Sequence, residues 1–259
     1  MPPKWSSKFE LKPGKWVFVP TTEIAKLGDE IKSSVEARWS PPSYFYHLRC
    51  GGHVAALQRH TSNATFLRLD VHDFFGSIGR SRVTRVLKPL FGYEKAREWA
   101  SLSTVPYPKG GKRTMLPFGF VQSPILASIC LAKSVLGRTL DKLHRSKEVA
   151  VSVYVDDVIL SSPNGELLAK LPERLEVAAT RAGFAFKTDK TQGPGPSIKA
   201  FNIELCEGAI QVTKDRLGSF MEVLTKSTNP AQRAGIVGYV TSVNEAQGKE
   251  VARAPAPKT

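Results

Sequence analysis

Apolar residues in this chain alternate between a period of two and a period near 3.6, and the switches mark out its elements. The densest apolar run is Val149-Ala-Val-Ser-Val-Tyr-Val-Asp-Asp-Val-Ile-Leu-Ser-Ser162. Its Val, Ile and Tyr residues favour strands, and Asp suits tight turns, so it predicts a β-hairpin with Asp156 and Asp157 at its tip. Phe66 to Val71 predicts a second strand, with Asp70 near its C-terminal end. An N-terminal hairpin is expected over residues 8–20 around the Pro13-Gly14 turn, flanked by Lys12 and Lys15.

Helical spacing appears in Ile24, Leu27, Ile31 and Val35, predicting a helix over residues 22–39 closed by Pro41-Pro42. Further helices are expected over about 53–60, 81–91 and 94–103, with Arg80, Arg82, Arg85 and Lys88 on or near the polar side of the helix over 81–91. Residues 104–124 form a loop-rich passage in which Gly119 permits close backbone approach to a ligand. Ser123-Pro124 predicts an N-cap and first-turn proline opening one long helix to about Arg145. A helix over 166–182 capped by Gly183 follows, then a short strand and basic loop over 184–191. Two strands over 199–205 and 209–213, and two small helices over 214–225 and 230–244, complete the pattern, and the tail over 248–259 is expected to be disordered. The order suits an α+β fold, a ferredoxin-like antiparallel sheet with helices on one face.

Length and composition narrow the function. The 259 residues are 41% hydrophobic, enough for one large domain or two small ones. The formal net charge of +14 favours a polyanionic partner, with nucleic acid first. No apolar run is long enough for a membrane span, and the start lacks the apolar core of a leader. Cys50, Cys130 and Cys206 are too widely spaced for a zinc site and read as reduced thiols, so the chain is expected to be cytoplasmic. The spacing of His47, His53 and His60 fits no metal pattern, and the aromatics around them read as packing or as a base-stacking surface.

Asp156 and Asp157 repel each other, which leaves two readings, a solvated turn or a site for a hard divalent cation. Asp70 adds a third carboxylate if its strand lies beside the hairpin. Three converging carboxylates in a basic protein suit two-metal phosphoryl transfer, the chemistry of a nucleotide polymerase or a nuclease.

The motifs then carry a resemblance. Leu69-Asp70-Val-His-Asp73-Phe-Phe75-Gly-Ser77-Ile78, Leu116-Pro117-Phe-Gly119-Phe-Val-Gln-Ser123-Pro124 and Tyr154-Val-Asp156-Asp157 are similar to the first three palm motifs of prokaryotic reverse transcriptases, the group that includes retron, group II intron and abortive-infection or defence-associated enzymes. Gly183 through Lys190-Thr191 resembles the fourth motif, Phe201 to Leu205 and the following strand a primer-grip hairpin, and Lys12 to Pro20 a fingers hairpin with Lys15 where Arg is usual.

This resemblance implies a right-hand polymerase palm over residues 67–213 with an inserted segment at about 80–116, small fingers over 1–66 and a reduced thumb over 214–247. It implies an RNA-directed DNA polymerase with an RNA template, which includes the case of a dedicated non-coding RNA, together with dNTPs, a DNA product and a role in antiphage defence. A protein partner or a second copy of the chain would complete the thumb. Two Mg²⁺ ions, replaceable by Mn²⁺, would be held by Asp70, Asp156, Asp157 and the Val71 carbonyl. Asp73 would lie near the triphosphate, Phe75 would block a 2′-hydroxyl, Lys190 would face the leaving pyrophosphate, and Lys12 and Lys15 would hold phosphates. Gly119 and position 118 would border the nucleotide.

Two departures from the pattern stand out, the second of them minor. Phe118 stands where most relatives carry a Gln that positions nucleotide and template base, and Gly76 replaces a frequent Pro. Phe118 removes those hydrogen bonds and keeps restricted-template or untemplated DNA synthesis as an alternative. An RNA polymerase and an inactive nucleic-acid-binding scaffold are the remaining readings.

Overall fold

The computed structural model describes residues 3–254 apart from residue 109. Its centre is an antiparallel sheet in the order β6-β7-β3-β8. The strands are β3 (Thr65–Asp70), β6 (Ala150–Tyr154), β7 (Asp157–Ser162) and β8 (Gln192–Gly195). Pairing runs in register from Thr65 opposite Ser162 to Asp70 opposite Asp157.

Side chains alternate across this sheet, and the two faces differ. Leu67 and Leu69 of β3 and Val158 and Leu160 of β7 point to one face and join the main core. That face is covered by α1 (Thr22–Glu36), α3 (Arg80–Phe91), α4 (Tyr93–Leu102), α5 (Ser123–Ala132), α6 (Val135–Ser146), α7 (Gly165–Ala169) and α8 (Leu171–Arg181). Truncating one of these core leucines to Ala costs about 2–5 kcal/mol.

The opposite face carries Phe66, Arg68 and Asp70 from β3 and Asp157, Ile159 and Ser161 from β7. It is not bare, as helices on one face alone would leave it. Phe66 and Ile159 join a second core with α2 (Gly52–Gln58), the small sheet β9 (Ser197–Ala200), β10 (Ile203–Cys206) and β11 (Ala209–Val212), and the helices α9 (Lys214–Lys226), α10 (Pro230–Val243) and α11 (Glu245–Ala252). At the Asp70 end of the strands Asp70 and Asp157 are buried too, among polar partners. The polar face explains one of the histidines. His60 is fully buried, its ring nitrogens meet the Ser161 and Ser152 hydroxyls at 2.7 and 2.8 Å, and burial pushes its pKa down to about 3.

The N-terminal hairpin, β1 (Trp5–Lys12) and β2 (Lys15–Pro20), stands on a third core with α1 and the short pair β4 (Val105–Pro106) and β5 (Thr114–Met115).

Several expectations need correction. The single helix over 123–145 is two, because the α5 chain turns after Lys133 and the Ser134 hydroxyl accepts from Gly137 N–H to start α6. Ser123 is not the cap of α5; Gln122 holds that position. The 166–182 helix breaks at Lys170, ahead of Pro172. The strand expected over 184–191 forms later, at β8, and only Phe186 bridges to Val71. The 199–205 strand is split into β9 and β10 by Phe201 and Asn202, both at positive φ. Residues 248–252 are helical, since Asn244 caps α11 and Gly248 packs against Thr241, while 255–259 lie outside the described residues.

Candidate active site

The register places the carboxylates. Asp70 and Asp157 are cross-strand partners, and Tyr154 pairs with Asp157, leaving Val155-Asp156 as a two-residue turn. Asp157 therefore opens β7 instead of sharing the tip. Val155 takes φ 58°, an unfavourable region for a β-branched residue. Two bonds hold it there: Val155 N–H donates to His47 Nδ1 at 3.0 Å, and Val71 N–H donates to the Asp156 carbonyl at 2.8 Å. His47 is thus a support for the turn; burial lowers its pKa to about 4, and its Nε2 meets the Ser128 hydroxyl at 2.6 Å.

Cations surround these carboxylates. Arg68, two residues before Asp70 on the same face, grips Asp157 Oδ1 through Nε at 2.8 Å and Nη2 at 2.7 Å. Lys187 Nζ lies 2.5 Å from Asp70 Oδ1 as an ion pair without hydrogen-bond geometry, and Lys190 Nζ donates to Oδ2 at 3.1 Å. The Asp70 carbonyl accepts from Lys187 N–H, which fixes that lysine's place. With two carboxylates turned to lysine and arginine, no three His, Cys, Asp or Glu side chains meet at one point among the described residues.

The electrostatics remain those of a crowded acidic site. Burial raises the Asp156 pKa and the Asp70 charge adds to it. Burial also raises Asp157, against the opposing pull of Arg68. Lys190 is held charged to higher pH, first by its hydrogen bond to Asp70.

Asp156 and Asp157 border a cleft of about 720 Å³, roofed by Gly14 and Lys15 and walled by Asp73, Phe75, Tyr107, Phe118 and Gly119. Phe74 and Phe75 are both buried; the Phe75 ring meets the edge of Phe118 at 4.7 Å, and Phe74 packs on Phe184. Lys15 Nζ sits 4.3 Å over the Phe118 ring. Lys12 only pairs with Lys15 at the hairpin end, and Lys12, Asp70, Val71 and Lys190 are not among the residues lining the cleft.

Two glycines have specific tasks. Gly119 lies at φ 101° in the cleft wall, and a Cβ there would fall 2.2 Å from the Phe18 carbonyl, so glycine is also what lets β2 approach closely. Phe18 N–H donates to the Phe118 carbonyl at 2.9 Å, tying the N-terminal hairpin to the cleft. A Cβ at Gly76 would fall 2.1 Å from Asp73 Oδ2, which instead accepts from the Tyr107 hydroxyl at 2.7 Å. Replacement of the frequent Pro by Gly is therefore what admits this Asp73 carboxylate.

Sequence reasoning missed Arg68, Lys187, Tyr107 and His47. Arg68 was recoverable, since alternation puts it on the Asp70 face; the others depend on loop paths. The aromatic residues over 44–60 divide. Tyr44 and Phe45 are core, whereas His53 lies with Tyr154, Phe201 and Tyr239 in an aromatic cluster beside the turn. All three cysteines are free. No described helix is long and apolar enough to cross a membrane.

Comparison with known proteins places this architecture. Retron Mx65 reverse transcriptase from Myxococcus xanthus is 28% identical over 223 residues, a match covering 77% of this chain and 51% of that protein. The chain thus spans about half the length of this curated relative. The foamy viral protease–reverse transcriptase solved in complex with double-stranded DNA superposes with a TM-score of 0.51 at 14% identity, over 97% of this chain and 39% of that one, a likeness of fold. The family described as reverse transcriptase (RNA-dependent DNA polymerase) matches residues 28–199, which contain all three carboxylates and the cleft wall, and the chain belongs to that family.

Proposed function

We propose that this chain is the catalytic unit of an RNA-directed DNA polymerase that adds dNMPs to a 3′ end by two-metal phosphoryl transfer, in a setting of antiphage defence. The observation that carries it is the register pair Asp70–Asp157 with Asp156 at the adjoining turn, Asp156 and Asp157 lining a cleft of about 720 Å³. Residues 1–66 serve as fingers, 67–213 as palm and 214–247 as a small thumb, to which α11 adds a further helix.

Members of this family use divalent metal ions, and the donor set fits: carboxylate oxygens suit Mg²⁺ or Mn²⁺, and Asp156, desolvated beside a like charge, is stabilised by a cation. Asp70, Asp156, Asp157 and the Val71 carbonyl would hold two ions. Bound there, they supply activation of the attacking 3′-hydroxyl and charge neutralisation at the leaving oxygen. The chain's own residues do the rest. Asp70 holds Lys187 and Lys190; with ions bound there, both lysines would be available to the triphosphate. The 3′ oxygen bonds to the α-phosphorus as the bond to the β-phosphate bridge breaks, the hydroxyl proton leaves to water, and Lys190 gives a proton to the leaving pyrophosphate. Phe75 stands beneath the sugar and excludes a 2′-hydroxyl. Lys15 holds phosphates from the roof, and Asp73, fixed by Tyr107, borders the triphosphate. The Phe201–Asn202 turn beside Tyr154 supports the primer end.

Phe118 supports a second reading, restricted-template or untemplated synthesis. Its ring is packed between Lys15 and Phe75 and offers no hydrogen bond to a base. Incubation with each dNTP alone, with and without a primed heteropolymeric RNA, separates the two. RNA-dependent addition of only the complementary dNTP supports the first; homopolymer formation without RNA would overturn it.

A further inference from the structure

On the helical side of the sheet, α3, α8 and the α5–α6 junction enclose a cavity of about 290 Å³ that shares no lining residue with the cleft. Five cations line it, Arg82 and Arg85 from α3, Lys133 and Arg138 from the junction and Arg181 from α8, and no carboxylate does. None of the five is ion-paired with a carboxylate among the described residues, although Asp141 lies one turn from Arg138; that acid pairs with Arg145. The contrast with Arg68, Lys187 and Lys190, each held by an aspartate, is complete.

Arg82 is the built part of this pocket. Its guanidinium lies 4.5 Å over the Phe184 ring, and Nη2 donates to the Ala182 carbonyl at 2.5 Å. Nη1 is buried with no hydrogen-bond partner, so the Arg82 charge is only partly met within the protein. The other four side chains are exposed, and the positive N-terminal end of α6 opens beside them at Ser134. Like charges gathered around one cup repel, and an anion relieves the repulsion.

We propose that this pocket is a second phosphate-binding site, which takes the backbone of a structured RNA on the face of the palm away from the cleft. The occupant's identity rests on the polymerase reading, since that reading makes RNA the chain's polyanion. Several cations spread around a small cup, without acids to receive a basic partner or a broad apolar patch for a protein, suit successive phosphates of one strand. The site would hold RNA in place while its template segment passes through the cleft, a tether that a small thumb leaves wanting.

The test uses the full chain and a hairpin RNA blocked at its 3′ end, with binding followed by fluorescence anisotropy over a range of salt. The triple variant R85Q/R138Q/R181Q changes only exposed side chains. It should lose about tenfold in affinity at moderate salt, and its log–log salt slope should become shallower by about 2. Extension of a short pre-annealed primer on RNA, at saturating concentration, should be unchanged. A control triple, K95Q/K170Q/K226Q, should bind within about twofold of the parent. Equal loss in both triples would overturn the site in favour of diffuse charge, and so would an unaltered slope in the first triple. Titration with inorganic phosphate separates a small-anion site: phosphate binding lost in the first triple while RNA binding persists would overturn the RNA assignment. D156A should keep the hairpin affinity while losing synthesis. A chain that makes no DNA but loses hairpin binding in the first triple would sink the polymerase reading and leave the pocket standing.

Discussion

Two basic regions of the molecule treat charge in opposite ways. At the strand ends, Asp70 holds Lys187 and Lys190, and Asp157 holds Arg68. On the helical face, five cations gather with no acid among them. The first region is neutralised from within and must exchange partners to bind metal; the second is left unbalanced and is completed by an anion. Cations that look equivalent in the composition thus have different thermodynamic roles. One set competes with a ligand, and the other recruits one.

The comparison can be broken most forcefully at the carboxylates. Asp70→Asn and Asp156→Asn should each reduce primer extension by at least about 10²–10³-fold, the scale of removing one group that stabilises transition-state charge, with the fold retained by circular dichroism. Gly119→Ala places a Cβ against the Phe18 carbonyl at positive φ. It should cost about 1–3 kcal/mol and lower the melting temperature by several degrees. Unchanged melting would mean that the hairpin is not anchored to the cleft wall through this contact.

Lys187→Ala removes a competitor for Asp70 and sharpens the comparison. Half-maximal Mg²⁺ stabilisation in a thermal melt should occur at several-fold lower Mg²⁺ than in the parent, since about 1.4 kcal/mol is tenfold. A higher Mg²⁺ requirement would mean that the lysine assists metal binding instead. The smallest effect is in pH. Asp156 and Asp157 have pKa values raised by folding, so the folded form binds the extra protons; without metal, stability should be fully present below the unfolded value near 3.8 and fall as pH rises through the raised values. Asp156→Asn should flatten that decline and raise the metal-free melting temperature at neutral pH by a few degrees, about 1 kcal/mol.

The parts of this molecule that the sequence discloses are those governed by a short period. The alternation in β3 and in the Val149–Ser162 hairpin marks the central strands and brings Asp70, Asp156 and Asp157 to one end. Where local signals compete with tertiary demands, the reading slips. Ser134 restarts a helix inside one expected helix, and the strand expected over 184–191 forms instead at Gln192–Gly195, an edge strand that tolerates Pro194. Phe201 and Asn202 divide one expected strand in two. Within the site, the carboxylates and the aromatic and glycine residues of the wall are legible from their motifs. Of the counter-ions, Arg68 follows from alternation and Lys190 from its motif, whereas Lys187 does not, because it meets Asp70 only through the path of the 184–191 segment. Gly119 shows a different limit: its need for space was correct, but the Phe18 carbonyl is a neighbour as well.

The central claim is that the strand-end carboxylates run Mg²⁺-dependent, RNA-templated DNA synthesis. Extension of a DNA primer on a heteropolymeric RNA, with products sequenced from the parent and from D156N, tests it most directly. The expected result is complementary DNA that requires both RNA and Mg²⁺ and vanishes in D156N. Equal product from D156N, or product whose sequence ignores the RNA, would contradict it.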